Sequence, residues 1–279
     1  MASAYRDTSI SPELERKYHA AKEWLAAKGA VAVAFSAGVD STLLLTLAHE
    51  VLGSAALAIT ATSPAHPARE TQEARAFCEE RGIRQIVFES DEMSIPGFDR
   101  NPENRCYLCK TRLFEAIVRI AEEEGMHCVA EGTNTDDMGD YRPGFAALGE
   151  LGVESPLLET GFSKQDIRDL SAALGLATAR KQSFACLYTR LAYGDLITPE
   201  KLARIDAAEQ WLLDAGYRTV RVRMVGDDTA RIELADADLP TALAQRADIV
   251  GALKAVGFSY VALDLQGYRT GSGNETLRQ

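Results

Sequence analysis

VAVAFSAGVDSTLLLTLA, residues 31–48, runs from an apolar stretch through a short loop of small residues, Ser36-Ala37-Gly38-Val39-Asp40-Ser41, into a helix-like segment. A strand, a small-residue loop and a helix start in that order form an anion site, because unpaired backbone N–H groups and the positive helix end converge on one point. Phosphate is the expected guest. The loop lacks the Gly-Lys-Ser/Thr ending of a Walker A loop and the three spaced glycines of a dinucleotide fingerprint. Ala37 is expected at negative φ, since a left-handed alanine is disfavoured, which leaves Gly38 for the tight approach.

The rest of the chain bounds what such a loop can serve. With 279 residues, 46% hydrophobic and 25% charged, it has the composition of an ordinary soluble globular protein. Its apolar runs are far shorter than the roughly 20 residues of a membrane helix, and its first residues lack the build of a secretory signal. A cytoplasmic protein is expected. A net charge of −11 counts against a broad nucleic-acid surface but leaves room for a local basic pocket. Five cysteines in a reducing compartment point to thiol, metal or catalytic roles rather than a disulfide framework.

In chain order, helical spacing of Leu14, Tyr18, Ala21 and Leu25 predicts a helix over 12–28. Strands follow at 31–36, 55–61, 85–89 and 127–131, with a strand-like stretch at 154–158. Helices are expected at 40–52, 67–81, 110–124 and 163–174, and an irregular stretch covers 93–105. This alternation predicts an α/β fold with a parallel sheet covered by helices on both faces, its ligands gathered beyond the C-terminal strand ends. The opening loop, Thr62-Ser63 and EGTNTDD at 131–137 all fall at such ends. Beyond residue 190 the pattern changes to a helix at 199–215, strands at 220–225 and 230–234, a helix at 239–255 and a strand at 260–265. Residues 1–192 are therefore expected to form the nucleotide domain and 193–279 a smaller α+β domain.

Four constellations carry chemistry. In the loop, Ser36 and Ser41 offer hydroxyls to phosphate, Gly38 permits close backbone approach and Asp40 can bind magnesium; a plain helix cap would account for Asp40 but not for the small residues before it. In EGTNTDDMGDYRPG, residues 131–144, Glu131, Asp136, Asp137 and Asp140 crowd near Arg142, so they suit a metal-bound pyrophosphate or, alternatively, a polar capping loop. Cys106 and Cys109 lie in RCYLCK at a helix start, and Cys186 lies in SFACLYTR. Three thiolates can hold a [4Fe-4S] cluster with one iron open to an exogenous sulfide, and a helix start lowers a thiol pKa; three unconnected cysteines are the alternative. Cys78 and Cys128 read as core residues. Finally, Arg221 and Arg223 share one face of a strand and Arg269 lies near the C-terminus, suited to clamping phosphate or carboxylate, with a solvated outer face as the alternative. The scattered histidines 19, 49, 66 and 127 read as surface or satisfied core residues.

FSAGVDS resembles the SGGxDS loop of the PP-loop ATP pyrophosphatases, which split ATP between the α and β phosphates, with Ala37 standing where those enzymes usually have glycine. Together with RCYLCK, EGTNTDD and YRPG, ACLYTR and GYRTGS, spanning roughly residues 14–275, it resembles the LarE family of pyridinium-3,5-biscarboxylic acid mononucleotide sulfur transferases. The resemblance implies that ATP and magnesium activate a substrate carboxylate by adenylation and that sulfur then gives a thiocarboxylate for the nickel-pincer cofactor of lactate racemase. It places Ser36, Gly38, Val39, Ser41 and Thr62 around the nucleotide, with Asp40 on magnesium. Arg221, Arg223 and Arg269 hold substrate groups, Lys110 assists, and Glu131 and Asp137 position metal or substrate. One branch of the family gives up the sulfur of a cysteine matching Cys186, and another holds a [4Fe-4S] cluster on three cysteines; Cys106, Cys109 and Cys186 favour the second. A sulfide donor and a homo-oligomer, by analogy a hexamer, are implied as partners. A PP-loop tRNA thiolase would want a basic surface, an ammonia-dependent amide synthetase would leave the cysteines idle, and a nucleotide sensor would have no use for them.

Overall fold

The computed structural model describes residues 10–139, 144–182, 186–269 and 272. The chain divides into two compact units, one of Met1–Ser63, Ala68–Glu92 and Cys106–Phe184, the other of Pro64–Pro67, Met93–Arg105 and Ala185–Gln279. The change of element pattern near residue 190 predicts one boundary after residue 192, and the second unit also takes two short segments from the first half of the chain.

The first unit carries α1 (Pro12–Lys28), β1 (Val31–Ala34), α2 (Val39–Leu52), β2 (Ala56–Thr62), α3 (Ala68–Arg81) and β3 (Arg84–Glu89). After these come α4 (Arg105–Glu123, whose first residue belongs to the second unit), β4 (Val129–Ala130), α5 (Gly144–Glu150), α6 (Pro156–Glu159) and α7 (Lys164–Ala173). Its four strands are all parallel, in the order β3-β2-β1-β4. Period-two alternation builds two cores from one sheet. Val31 and Val33 join Leu14, Leu43, Leu44 and Leu170 on one face, while Ala32, Leu57 and Ile59 join Phe114, Ile117 and Leu148 on the other. The first helix spans the expected residues, and Leu14, Tyr18, Ala21 and Leu25 are all buried.

Two expectations change here. The stretch 154–158 is not a strand: Glu154 makes one parallel bridge to Ala130, and Pro156 then opens α6, because proline suits a first helical turn and cannot donate to a ladder. The helix expected from 110 begins at Arg105, so both cysteines of RCYLCK lie in its first turns.

The strand order fixes where ligands can gather. From β1 the chain steps outward to β2 and β3, then returns to the other side of β1 for β4. The connections leaving the ends of β1 and β4 therefore run in opposite directions and open a crevice, the switch point at which such sheets bind ligands.

In the second unit, α8 (Pro199–Asp214), β5 (Val220–Val225), β6 (Thr229–Leu234), α9 (Leu239–Ala244), α10 (Arg246–Ala255) and β7 (Tyr260–Leu263) form an α+β unit. Its sheet runs β5-β6-β7, antiparallel and then parallel. The expected helix 239–255 is two helices broken at Gln245, whose side-chain oxygen accepts from Tyr217 Oη at 2.7 Å.

Candidate active site

The nucleotide loop leaves β1 at the switch point. Phe35 is still tied to the sheet through its N–H on Ile59 O (2.9 Å) and its carbonyl on Thr60 Oγ1 (2.8 Å). Ser36 and Ser41 then face each other across the loop with their hydroxyl oxygens 3.2 Å apart, and the Ser41 hydroxyl donates to Gly38 O at 3.3 Å. Gly38 precedes α2 in extended conformation, and a Cβ there would stand 3.3 Å from Ser36 Oγ. Ala37 corrects the expectation of negative φ: its φ is +54°. A left-handed alanine costs about 1–2 kcal/mol, so the surroundings must impose that conformation. Its carbonyl accepts from Lys181 Nζ at 2.9 Å.

The loop after β4 meets the start of α2. Gly132 permits this, because a Cβ there would fall 3.0 Å from both Asp40 Cβ and Ser41 N. Asp40 accepts from Lys164 Nζ at 2.7 Å and from Asn134 Nδ2 at 3.4 Å. Lys164 opens α7, and its own N–H donates to Asp136 at 2.9 Å. Beside it, Ser163 and Asp166 form a capping box to which Lys17 adds an ion pair at 2.7 Å. Burial pushes the Asp166 carboxyl up, but the Lys17 and Ser163 hydrogen bonds outweigh it and leave its pKa lowered.

Two carboxylates of the acidic loop accept from its own backbone. Glu131 is buried and accepts from Thr133 N at 3.0 Å and from Ser155 Oγ at 2.5 Å. Asp137 accepts from Asn134 N at 3.1 Å. Asp140 and Arg142 lie outside the described residues. Thr62 lies at the end of β2 and donates from Oγ1 to Phe88 O at 3.1 Å. Lys110 stacks its ammonium 5.1 Å from the Phe145 ring.

On α4, Cys106 is exposed and Cys109 half-buried, three residues apart and thus neighbours on one helix face. Cys78 and Cys128 are buried, and burial pushes both thiols up to about 12, which fits core residues rather than nucleophiles. Among the described residues, no three cysteine, histidine, aspartate or glutamate side chains stand together as a metal site.

Cys186 belongs to the second unit and caps a short 3-10 turn, Leu187–Arg190. Its carbonyl accepts from Thr189 N (3.0 Å), Thr189 Oγ1 (2.8 Å) and Arg190 Nη1 (3.4 Å). Arg190 is fully buried and grips the equally buried Glu209 bidentately at 2.7 and 3.1 Å, while Glu209 also accepts from Val222 N. Arg223 donates to Thr189 O at 2.7 Å, to Glu233 and to Ser272 Oγ. Arg221 is buried over the Tyr268 ring, and burial first, then the neighbouring Arg190 charge, lowers its pKa. A solvated outer face for this arginine pair is thereby excluded. Arg269 is half-buried. On the same unit, the buried Asn101 donates to Leu191 O and Ala192 O, and Arg105 donates to Asn101 and to Tyr188 O.

Sequence reasoning missed Lys164, Lys181, Asn134, Arg190, Glu209 and Glu233. Lys164 carried a faint signal, as a lysine directly after the helix cap Ser163 in GFSKQD. Arg190 ends the CLYTR stretch, where nothing in the local sequence marks it as buried.

A parallel sheet with a small-residue phosphate loop at its switch point defines the PP-loop α/β class. Consistent with that class, the chain is 27% identical over 160 residues to argininosuccinate synthase of Haloarcula marismortui, covering 53% of this chain and 38% of that one. Two relatives are much nearer. An uncharacterized protein of Synechocystis sp. is 40% identical over 95% of this chain and 99% of its own length. The pyridinium-3,5-bisthiocarboxylic acid mononucleotide synthase of Lactiplantibacillus plantarum is 37% identical over 88% of this chain and 90% of its own. The chain belongs to the family of that synthase, the LarE family. No family model matches it.

Proposed function

We propose that this protein is an ATP-dependent sulfur transferase that adenylates a carboxylate of pyridinium-3,5-biscarboxylic acid mononucleotide and converts it to a thiocarboxylate for nickel-pincer cofactor synthesis. The observation that carries the reading is the loop Ser36–Ser41, its two hydroxyls converging over the start of α2 beside Asp40, in a chain so similar to the synthase.

A carboxylate is a poor electrophile because oxide would have to leave. Attack of its oxygen on the α-phosphorus of ATP breaks the bond to the β-phosphate, expels pyrophosphate and leaves an acyl adenylate with AMP as a good leaving group. Ser36, Ser41 and the backbone of Gly38 and Val39 hold the phosphates, aided by the positive end of α2. Magnesium, when bound, neutralises charge on the departing pyrophosphate. The Asp40 carboxylate has the oxygen chemistry that magnesium takes, and Lys164 beside it adds a second positive group facing the phosphates. Glu131 and Asp137 shape the loop that brings Asn134 to Asp40 and act on substrate indirectly.

A sulfur nucleophile then attacks the acyl carbon and AMP leaves. Cys186 is assigned to the sulfur step, with Cys106 and Cys109 as its companions. A [4Fe-4S] cluster, if carried on the thiols of Cys106, Cys109 and Cys186, would supply sulfide at this step. Arg221, Arg223, Arg269 and Lys110 are assigned to the anionic groups of the substrate.

Anaerobic turnover with ATP, magnesium, sulfide and the dicarboxylate nucleotide tests the reading. Thiocarboxylate product with AMP and pyrophosphate is expected. Protein mass unchanged per turnover, with an iron–sulfur absorption near about 400 nm, supports the cluster, whereas loss of one hydrogen sulfide from Cys186 assigns the sulfur to that residue. ATP binding without pyrophosphate release on adding the nucleotide would indicate a sensor and overturn the reading.

A further inference from the structure

We infer that Lys181 is a positioning residue for the nucleotide loop, holding the Ala37 peptide in the orientation that the phosphate site needs; the inference rests on the ATP reading of that loop. Position 37 carries a side chain, is buried, and sits at φ +54°, in the left-handed region that favours glycine. Something outside the loop must hold it there. Lys181 Nζ donates to the Ala37 carbonyl at 2.9 Å.

The lysine is anchored at both ends. At its root, Arg168 on α7 donates to Ala179 O at 2.8 Å and to Lys181 O at 3.1 Å, and Lys181 N donates to Thr178 O at 2.9 Å. At its tip, the ammonium also pairs with the Glu73 carboxylate on α3. The loop geometry is thereby tied to two helices. Because the peptide is planar and trans, fixing the Ala37 carbonyl toward Lys181 also fixes the N–H of Gly38 in the opposite direction. A rotation of that peptide would withdraw the N–H and present a carbonyl oxygen, which repels phosphate. Glu73 neutralises the lysine, so its effect runs through the backbone more than through attraction of the nucleotide at a distance.

A double-mutant cycle on the full-length protein tests this, with Lys181→Met and Ala37→Gly made singly and together and pyrophosphate release followed against ATP concentration. Lys181→Met is expected to raise KM for ATP about tenfold, the scale of one charge-assisted hydrogen bond. In the Ala37→Gly background the same change is expected to raise it no more than about threefold, because glycine adopts positive φ without support. Lys181→Arg, which keeps a charged donor, is expected to stay within about threefold of the parent. Equal effects of Lys181→Met in both backgrounds would assign the lysine to direct nucleotide contact and overturn the positioning role, as would no effect in either. A parent protein that binds no ATP by calorimetry would instead overturn the ATP reading itself.

Discussion

The loop at Ser36–Ser41 and the turn at Cys186–Arg190 are built by opposite means. The loop is small residues and backbone, seated on a sheet with an apolar cluster on each face, and its shape depends on a few close approaches such as that of Gly132 to Asp40. The turn is held by buried charge: Arg190 on Glu209, Arg223 on Thr189 O and Glu233, and Arg221 packed beside them. A phosphate loop needs donors that any backbone supplies. Around Cys186, by contrast, guanidinium groups are fixed by partners that satisfy their geometry before any substrate arrives. Truncating one partner of a buried charge pair around the turn strands the other, whereas around the loop it is the backbone geometry that must be kept.

Arg190→Met is the most severe way to break that contrast. It strands Glu209 in a site with no exposure, and a loss of about 3–5 kcal/mol is expected in denaturant unfolding. A loss below about 1 kcal/mol would mean that the pair behaves as a surface ion pair and does not frame the turn. Asp40→Ala bears on the loop instead. It should cost no more than about 1 kcal/mol of stability, the scale of a partly exposed ion pair, and lower kcat/KM for pyrophosphate release about a hundredfold. A large change in the midpoint with an intact rate would reverse the assignment.

The smallest effect concerns the α7 cap. Because the Asp166 pKa is lowered in the folded protein, its contribution is fully present above the ordinary carboxylate range and is lost as pH falls through the lowered value. Asp166→Ala should therefore cost about 1 kcal/mol near neutral pH, with parent and variant converging in acid. A gap that widens in acid would contradict the lowered pKa.

The same contrast explains what could be read before the structure. Helical periodicity and strand alternation report burial, so α1, the four parallel strands and the buried Cys78 and Cys128 were legible. So was the gathering of the first loop and EGTNTDD at strand ends, since it follows from connectivity. Ala37 departs from its local propensity because Lys181, 144 positions away, holds its carbonyl. The Arg190–Glu209 pair left no periodic signal, because a buried ion pair is defined by two residues 19 apart that only the fold brings together. Lys164 is hidden for a related reason: charged residues at helix starts are common, and only the fold gives this one Asp40 as a partner.

The two-part account is tested most directly by Cys186→Ala, assayed with ATP, magnesium, sulfide and the dicarboxylate nucleotide for pyrophosphate and for thiocarboxylate in the same reaction. If the loop activates and Cys186 serves the sulfur step, nucleotide-dependent pyrophosphate release persists while thiocarboxylate disappears. Thiocarboxylate formed at the parent rate, or both products lost together in a variant that unfolds at the parent midpoint, would contradict the division.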